Sequence, residues 1–136
     1  LYPMEAVRDV PDCYQVSHTH KDTLKECVSQ VVSTMEERLD REEGEGKGRI
    51  CVIVPDAQAQ LWHADESGAS ALDQRVSYLT AAGSKGLEFD SVVVVEPGAI
   101  LDQGSGDLFV ALTRATHDLH AVTTTQLPRG MEEWDA

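Results

Sequence analysis

The sequence lacks long apolar runs and has few cysteines. No segment approaches the roughly 18 consecutive apolar residues that a membrane span requires, so we expect no membrane partner. The first residues, LYPMEAVRDVPD, contain acids and prolines but no apolar centre, which argues against a signal peptide. The chain has three cysteines, Cys13, Cys27 and Cys51, and no CxxC pair. This pattern disfavours a disulfide framework and favours a reducing, cytoplasmic location.

Clusters of metal ligands are also missing from the sequence. His18 and His20 would share one face of a strand, but no cysteine or acidic pair accompanies them. Zinc sites require three or four such ligands, so we predict no metal site.

Basic residues are scarce. Eleven lysines and arginines stand against 24 aspartates and glutamates, which gives a net charge of −13. A protein that grips phosphates by itself needs a basic face to displace counterions, so this balance argues against autonomous nucleic-acid binding. Much of the acid lies in Glu36–Glu45 and Glu132–Asp135. A solvated face and tail explain such runs, and an acidic docking surface for a protein partner is the alternative.

The sequence has no glycine-rich phosphate cradle of the form G-x-x-x-x-G-K-[ST]. Gly44–Arg49 looks superficially similar, but its glycine spacing differs and no hydroxyl residue follows Lys47. We interpret this segment as a linker. Spacing alone also reveals no Ser/His/Asp or Cys/His set, so nucleophilic catalysis by this chain has no support.

Hydrophobic periodicity predicts alternating helices and strands. Apolar residues from Leu24 to Leu39 recur at helical spacing, and Thr23–Glu26 (TLKE) in front of them has the form of a capping box. The β-branched run Arg49–Val54 predicts a strand buried on both faces. We further predict a short helix at Asp56–His63, strands at Arg75–Thr80, Ser91–Glu96 and Leu119–Thr125, and a helix at Asp107–Thr116.

This order of elements predicts the fold class. Alternation of buried strands with helices indicates a three-layer α/β domain whose mostly parallel central sheet is flanked by helices. We place the domain at residues 21–126, after an irregular or partly extended lead-in at 1–20 and before a tail at 127–136. Because the chain starts with Leu rather than Met, we expect a fragment of a longer protein. In such sheets, ligands gather on loops at the carboxyl ends of strands.

Two segments carry candidate chemistry. The loop Lys85–Asp90 (KGLEFD) connects two predicted strands; its Gly86 permits close approach of a ligand, and its Glu88 can accept hydrogen bonds from sugar hydroxyls. The second is Arg114, whose planar, charged fork suits bidentate contact with phosphate. The structural alternatives are a turn before a strand, a solvent-facing acid, and an arginine paired with the last carbonyls of its helix.

In this order, the two segments resemble motifs V and VI of the C-terminal RecA-like motor domain of UvrD/Rep-type superfamily 1 helicases. Motif V reads like T-x-x-x-x-K-G-L-E-F-D followed by valines or isoleucines, and Thr80–Val95 has this pattern. Motif VI reads like L-Y-V-A-L-T-R-A, and Leu108–Ala115 (LFVALTRA) is similar to it. The resemblance is strong over residues 75–125 and extends over 21–62 through compatible secondary structure.

The resemblance implies a RecA-like fold and an ATP site shared between two motor domains. Gly86 would approach the γ-phosphate, Glu88 would contact the nucleotide sugar, and Arg114 would be the arginine finger. Lys85 would join these nucleotide-binding residues, near the interdomain cleft or the nucleic-acid side.

Two further matches, Thr80 and Thr113, are implied to lie at nucleic-acid or interdomain contacts. ATP with Mg²⁺ would bind only together with the first RecA-like domain, which carries the phosphate cradle and which this chain does not contain. We therefore predict that the chain alone neither hydrolyses ATP nor unwinds DNA, and that DNA is bound by the full-length protein.

Some details resemble a subgroup, the HelD-like proteins, which are UvrD-related ATPases associated with bacterial RNA polymerase. These details are Glu96-Pro97 after the valines and Val54–Asp56 upstream. DNA-translocating members have a histidine where this chain has Ala82, and motif VI has Phe109 where Tyr is usual. Two functions stay open: a motor half-site acting on DNA, and a module that mainly binds RNA polymerase. A complete nucleotide-binding protein is a weaker third, because the cradle is missing.

Overall fold

The computed structural model describes residues 13–132. The strands are β1 (Cys13–His18), β2 (Ile50–Ile53), β3 (Val76–Leu79), β4 (Phe89–Val95) and β5 (Ala115–Thr123). The helices are α1 (Leu24–Glu43), α2 (Ala59–Trp62), α3 (Ala81–Ser84), α4 (Pro97–Gln103) and α5 (Ser105–Leu112). Single 3₁₀ turns cover Lys21–Thr23, Asp56–Gln58 and Ala69–Leu72.

The five strands form one sheet in the order β1-β5-β4-β2-β3, and every adjacent pair is parallel. The strands nearest the centre are the most apolar: Ile50–Ile53 and Val92–Val95 are completely buried. Continuous apolar runs are typical of parallel strands, because helices cover both faces of such a sheet. The predicted three-layer α/β fold is confirmed, with a sheet that is parallel throughout the described residues.

The valines of β4 serve two cores, one on each face of the sheet. Val93 and Val95 pack with the apolar stripe of α1, while Val92 and Val94 pack with the core under α4 and α5. Successive side chains of a strand point to opposite faces, so a run of valines is what a strand between two helix layers requires. The predicted stripe of α1 is confirmed, since Val28, Met35 and Leu39 are buried there.

The lead-in, predicted to be irregular or partly extended and placed outside the domain, contains an edge strand of the sheet. Residues 13–18 form β1, which pairs in parallel with β5 and places Val16 opposite Ala121. Its outer residues are exposed, and a half-exposed strand at a sheet edge carries little hydrophobic pattern. Beyond β5, Met131 is completely buried in the α4–α5 core, so the predicted tail contributes to packing up to this residue.

The predicted capping box at Thr23 is wrong. The Thr23 side chain makes no capping bond to α1 and instead accepts a hydrogen bond from the backbone N–H of His20 (3.3 Å). Its hydroxyl also lies 2.7 Å from the hydroxyl of Thr19. The reason is that Thr23 ends the 3₁₀ turn before α1, so its hydroxyl closes that turn.

The predicted helix at 107–116 is also wrong in its extent. Helix α5 ends at Leu112, and β5 already begins at Ala115. The Thr113 hydroxyl terminates the helix by donating to the carbonyls of Phe109 (2.9 Å) and Val110 (3.2 Å). An additional helix, α4, begins directly after Glu96. This residue has a left-handed backbone conformation (φ of 54°), which ends the extended path of β4. Among the described residues, no helix is both long and apolar enough to cross a bilayer.

Candidate functional site

The connection between β3 and β4 begins at Thr80, at the carboxyl end of β3. The Thr80 hydroxyl accepts a hydrogen bond from the backbone N–H of Gly83 (3.2 Å) and thereby caps α3. Thr80 is 1% exposed. Its hydroxyl is therefore occupied inside the domain, although the resemblance placed it at a nucleic-acid or interdomain contact.

Gly83 allows α3 to pack closely on the loop that follows α2. A Cβ at position 83 would lie 2.5 Å from the carbonyl oxygen of Asp65, closer than real Cβ contacts come. The Asp65 carboxylate holds that loop by accepting bonds from the hydroxyl (2.7 Å) and backbone N–H (2.8 Å) of Ser67 and from the N–H of Ser70 (2.9 Å). These hydrogen bonds, the one from the Ser67 hydroxyl first, hold the pKa of Asp65 well below its ordinary range.

The chain then crosses to the opposite edge of the sheet through residues 85–88. Gly86 has a φ of +78°, which favours glycine, and a Cβ there would meet no atom within 4 Å. Lys85, Gly86 and Glu88 are exposed, whereas Leu87 packs its side chain against the core. The loop thus presents polar groups to solvent while Leu87 anchors it.

Arg114 lies between α5 and β5, against this loop. Its Nη1 lies 3.5 Å from the Leu87 carbonyl oxygen, and its Nη2 donates to the Thr113 hydroxyl at 3.2 Å. Its backbone carbonyl accepts a bond from the N–H of Phe89 (2.9 Å). The Nε atom of Arg114 is buried and has no acceptor within residues 13–132. The guanidinium is therefore held between the two motifs with part of its donor capacity unused.

The structure brings Glu88, Thr113 and Arg114 to one edge of the sheet, places Lys85 and Gly86 in the loop that leads to it, and leaves Thr80 at the other edge. This edge is the amino edge, because Glu88 precedes β4 and Arg114 precedes β5, and these strands pair in parallel with Phe89 opposite Ala115. The expectation that the loop follows carboxyl ends is wrong for this site. The physical reason is that β3 and β4 run parallel, so the connection must return from the carboxyl end of β3 to the amino end of β4, and the loop lies at the end of that return.

Arg49 supports the site and was not predicted as one of its residues. Its guanidinium lies 5.0 Å from the centre of the Phe89 ring and donates to the carbonyl of Ala71. The backbone N–H of Arg49 donates to the Asp90 carboxylate (2.7 Å), and its carbonyl accepts from the N–H of Asp90 (3.0 Å). The sequence shows a basic residue before one strand and an aromatic residue at the start of another, but only the sheet register brings them together.

A separate polar cluster lies on the α1 face of the sheet. Arg38 donates to both carboxylate oxygens of Asp118 (2.7 and 2.6 Å) and to the Ser91 hydroxyl (2.8 Å). The hydrogen bond with Asp118 is the main cause that raises the pKa of Arg38. This cluster borders a cleft of about 400 Å³ between α1 and strands β1 and β5, and none of the predicted site residues lines that cleft.

The all-parallel sheet between two helix layers, with Glu88 and Arg114 at one edge, defines a RecA-like domain of the α/β class. Residues 8–123 match the family described as the viral superfamily 1 RNA helicase core domain. Since this match covers most of the chain, the protein belongs to that family and is a superfamily 1 helicase domain.

A solved structure has a similar fold. It is the C-terminal domain of a possible DNA helicase from Lactobacillus plantarum WCFS1, 18% identical to this chain, with a TM-score of 0.57. The match covers 90% of this chain and 79% of that one. No curated protein matches the sequence. The family match confirms the superfamily that the two motifs predicted, and this neighbour shows the same fold.

Proposed function

We propose that this domain supplies one wall of an ATP site that is completed by the first motor domain of the same protein. In this proposal Arg114 is the arginine finger and reaches the γ-phosphate when the two domains close. An arginine in this role stabilises the charge that spreads over the transferring phosphoryl oxygens. MgATP binds between the domains, and the phosphate cradle comes from the first domain.

One observation carries the proposal: Arg114 Nη1 lies 3.5 Å from the carbonyl of Leu87, in the middle of the exposed loop. An arginine finger and a nucleotide-facing loop have to reach the same ligand, so they must lie at one edge. Among the described residues, Nη1 and Nη2 of Arg114 each make one hydrogen bond, so each keeps a second N–H, and a guanidinium with free donors can bind a phosphoryl group.

The neighbouring residues have distinct parts in this proposal. The left-handed backbone at Gly86 lets the loop approach the γ-phosphate without a side chain in between. Glu88 is exposed and accepts hydrogen bonds from the nucleotide sugar, while Lys85 faces the same cleft. Thr80, buried under α3, acts by shaping the connection rather than by touching a ligand.

The test is ATP hydrolysis by the protein in which this domain is joined to its first motor domain. We expect Arg114→Ala to lower kcat by about 10³-fold, because an arginine finger contributes an effect of that order. Arg114→Lys keeps the charge but loses the planar fork of the guanidinium, so we expect it to recover only a small part of the lost kcat. Hydrolysis by Arg114→Ala at the wild-type rate, in a variant that still folds, would rule the proposal out.

The isolated 136-residue chain serves as the matching negative control. We propose that it is silent, because one wall cannot close around ATP without the phosphate cradle. A turnover above background that Arg114→Ala abolishes would show that the chain is a complete ATPase.

For the joined protein we propose a UvrD-like activity on DNA. The matching family is described as an RNA helicase core domain, whereas the solved neighbour is described as part of a possible DNA helicase. The kind of nucleic acid therefore needs a direct comparison. Stimulation of ATP hydrolysis by single-stranded DNA and by single-stranded RNA of the same length, measured side by side, makes that comparison. Stronger stimulation by RNA would contradict the DNA assignment.

A specific observation favours a second function, HelD-like binding of RNA polymerase without DNA unwinding. The Thr80 hydroxyl is committed to capping α3, and Ala82 stands where DNA-translocating members have histidine. Both reduce the single-strand contact expected of a translocating motor. Co-elution of the joined protein with RNA polymerase, together with ATP hydrolysis that single-stranded DNA does not stimulate, would select this function.

A further inference from the structure

We infer that Thr113 is a positioning residue for Arg114: its hydroxyl, fixed by the last turn of α5, is the acceptor that orients the guanidinium toward the loop at 85–88. This inference rests on the proposed function for its meaning in catalysis. The contact itself belongs to the folded chain and can be tested without ATP.

The Thr113 hydroxyl has a fixed orientation. Its hydrogen is directed at two carbonyls of α5, those of Phe109 (2.9 Å) and Val110 (3.2 Å). The helix that supplies these carbonyls is itself held in place, since Ala111 and Leu112 are completely buried in the core. With its hydrogen committed to the helix, the oxygen keeps its two lone pairs as acceptors, and Arg114 Nη2 donates to it at 3.2 Å.

The other contacts of the guanidinium are weaker. Arg114 Nη1 lies 3.5 Å from the Leu87 carbonyl oxygen, at the outer limit of a hydrogen bond. The buried Nε–H has no acceptor among residues 13–132. Thr113 therefore accepts the shorter of the two hydrogen bonds that the Arg114 guanidinium makes within the described residues. It fixes the direction of the fork and leaves donors available for a ligand.

Two substitutions of Thr113 separate the positioning role from packing. Valine has nearly the shape of threonine but no acceptor, and serine keeps the hydroxyl while it loses the methyl group. If Thr113 only closes α5, the Arg114 guanidinium stays equally ordered in the valine and serine variants. If Thr113 positions Arg114, the guanidinium stays ordered only in the serine variant.

The test uses the 136-residue chain labelled with ¹⁵N-arginine and follows the Arg114 side chain by NMR, assigned by its loss in Arg114→Lys. Rotation about the Cζ–Nε bond averages the two Nη signals unless hydrogen bonds slow it. We expect resolved Nη signals in the wild type and in Thr113→Ser. In Thr113→Val we expect rotation about tenfold faster, since a hydrogen bond to a charged group is lost.

Two outcomes overturn the inference. Averaged Nη signals in the wild type would do so without any variant, even if Thr113→Val failed to fold. Equal rotation rates in folded Thr113→Val and in the wild type would do so as well.

Kinetics of the joined protein separate this inference from the proposed function. We expect Thr113→Val to lower kcat for ATP hydrolysis about tenfold with little change in KM, and Thr113→Ser to restore it. If Arg114→Ala lowers kcat but Thr113→Val does not, the inference fails and the proposed function stands. If Arg114→Ala has no effect, the proposed function fails, and the NMR result still decides whether Thr113 orients Arg114.

Discussion

At the scale of single residues, the connection between β3 and β4 depends on two glycines for different reasons. Gly86 has a left-handed backbone and open space around its Cα, so conformation requires it. Gly83 has an ordinary φ, and close packing on the loop at Asp65 requires it. The sequence analysis identified Gly86, because it lies within the charged motif KGLEFD. It did not reveal Gly83, because a close approach depends on which loop packs against it.

Gly83→Ala is therefore expected to destabilise the fold. The new methyl group would lie 2.5 Å from the Asp65 carbonyl oxygen, and backbone atoms on both sides have to move. Overpacking of this kind costs about 2 kcal/mol. The measurement is the free energy of unfolding in urea. The matched control is Gly106→Ala in α5, where no atom lies within 4 Å and where alanine is expected to stabilise the helix slightly. Equal stability of the two variants would contradict the packing argument.

Because the His120 imidazole is largely buried, we expect the protein to lose stability in mild acid. Burial lowers its pKa below the ordinary value of 6.5, with Asp118 opposing the shift, and its Nε2 lies 2.7 Å from the Ser17 hydroxyl. The unfolded chain therefore binds a proton at a higher pH than the folded chain does. The contribution of neutral His120 to the free energy of unfolding is fully present above about pH 6.5 and is lost as the pH decreases toward the folded pKa.

The measurement compares urea unfolding at about pH 7.5 and about pH 5.5 for the wild type and His120→Gln. We expect the wild type to lose more stability than the variant, because glutamine does not titrate. An equal loss in both proteins would assign the acid sensitivity to other groups.

At the scale of elements, the contact between α1 and β5 combines an apolar stripe with one ion pair. The sequence predicted the stripe from its 3.6-residue period. It gave no signal that Arg38, near the end of that helix, would meet Asp118, which is 80 positions away. The same limit applies to Thr113 and Arg114, whose predicted helix ends earlier because a hydroxyl closes its last turn.

Arg38→Met is expected to destabilise the protein by about 3 kcal/mol, because it leaves the nearly buried Asp118 side chain without its bidentate partner. Methionine retains the apolar stem, so the change reports on the charge and its hydrogen bonds. The free energy of unfolding in urea is the readout. Glu42→Gln is the control: Glu42 is half exposed and 3.6 Å from Arg38 Nε, so its removal should cost less than about 0.5 kcal/mol. A cost for Arg38→Met as small as that of the control would show that the pair contributes little.

At the scale of the whole molecule, the first motif begins at one edge of the sheet and reaches the second motif at the opposite edge. Thr80 lies at the carboxyl end of β3, whereas Glu88 and Arg114 lie at the amino ends of β4 and β5. The connection Thr80–Glu88 therefore spans the sheet and ties one edge to the other.

The charge of the whole chain predicts its behaviour toward nucleic acid. With 11 basic and 24 acidic residues, the isolated chain should bind single-stranded DNA and RNA with a Kd weaker than about 100 μM at physiological salt. Fluorescence anisotropy with short labelled oligonucleotides measures this. Salt-dependent binding in the micromolar range would contradict the prediction and would point to a local basic patch.

The sequence by itself determined the fold class and the two motifs. Burial on both faces imposes an apolar run on each central strand, and one-sided burial imposes a helical stripe on α1, so these patterns can be read locally. The segments KGLEFD and LFVALTRA are also local, and they predicted the superfamily.

Tertiary structure alone decided the edge at which the site lies, the contact of Arg114 with Leu87 and Thr113, and the partners of Gly83 and Arg38. Each of these depends on register and on loops that double back, which join residues distant in the chain. No pattern of neighbouring residues records which of them will meet.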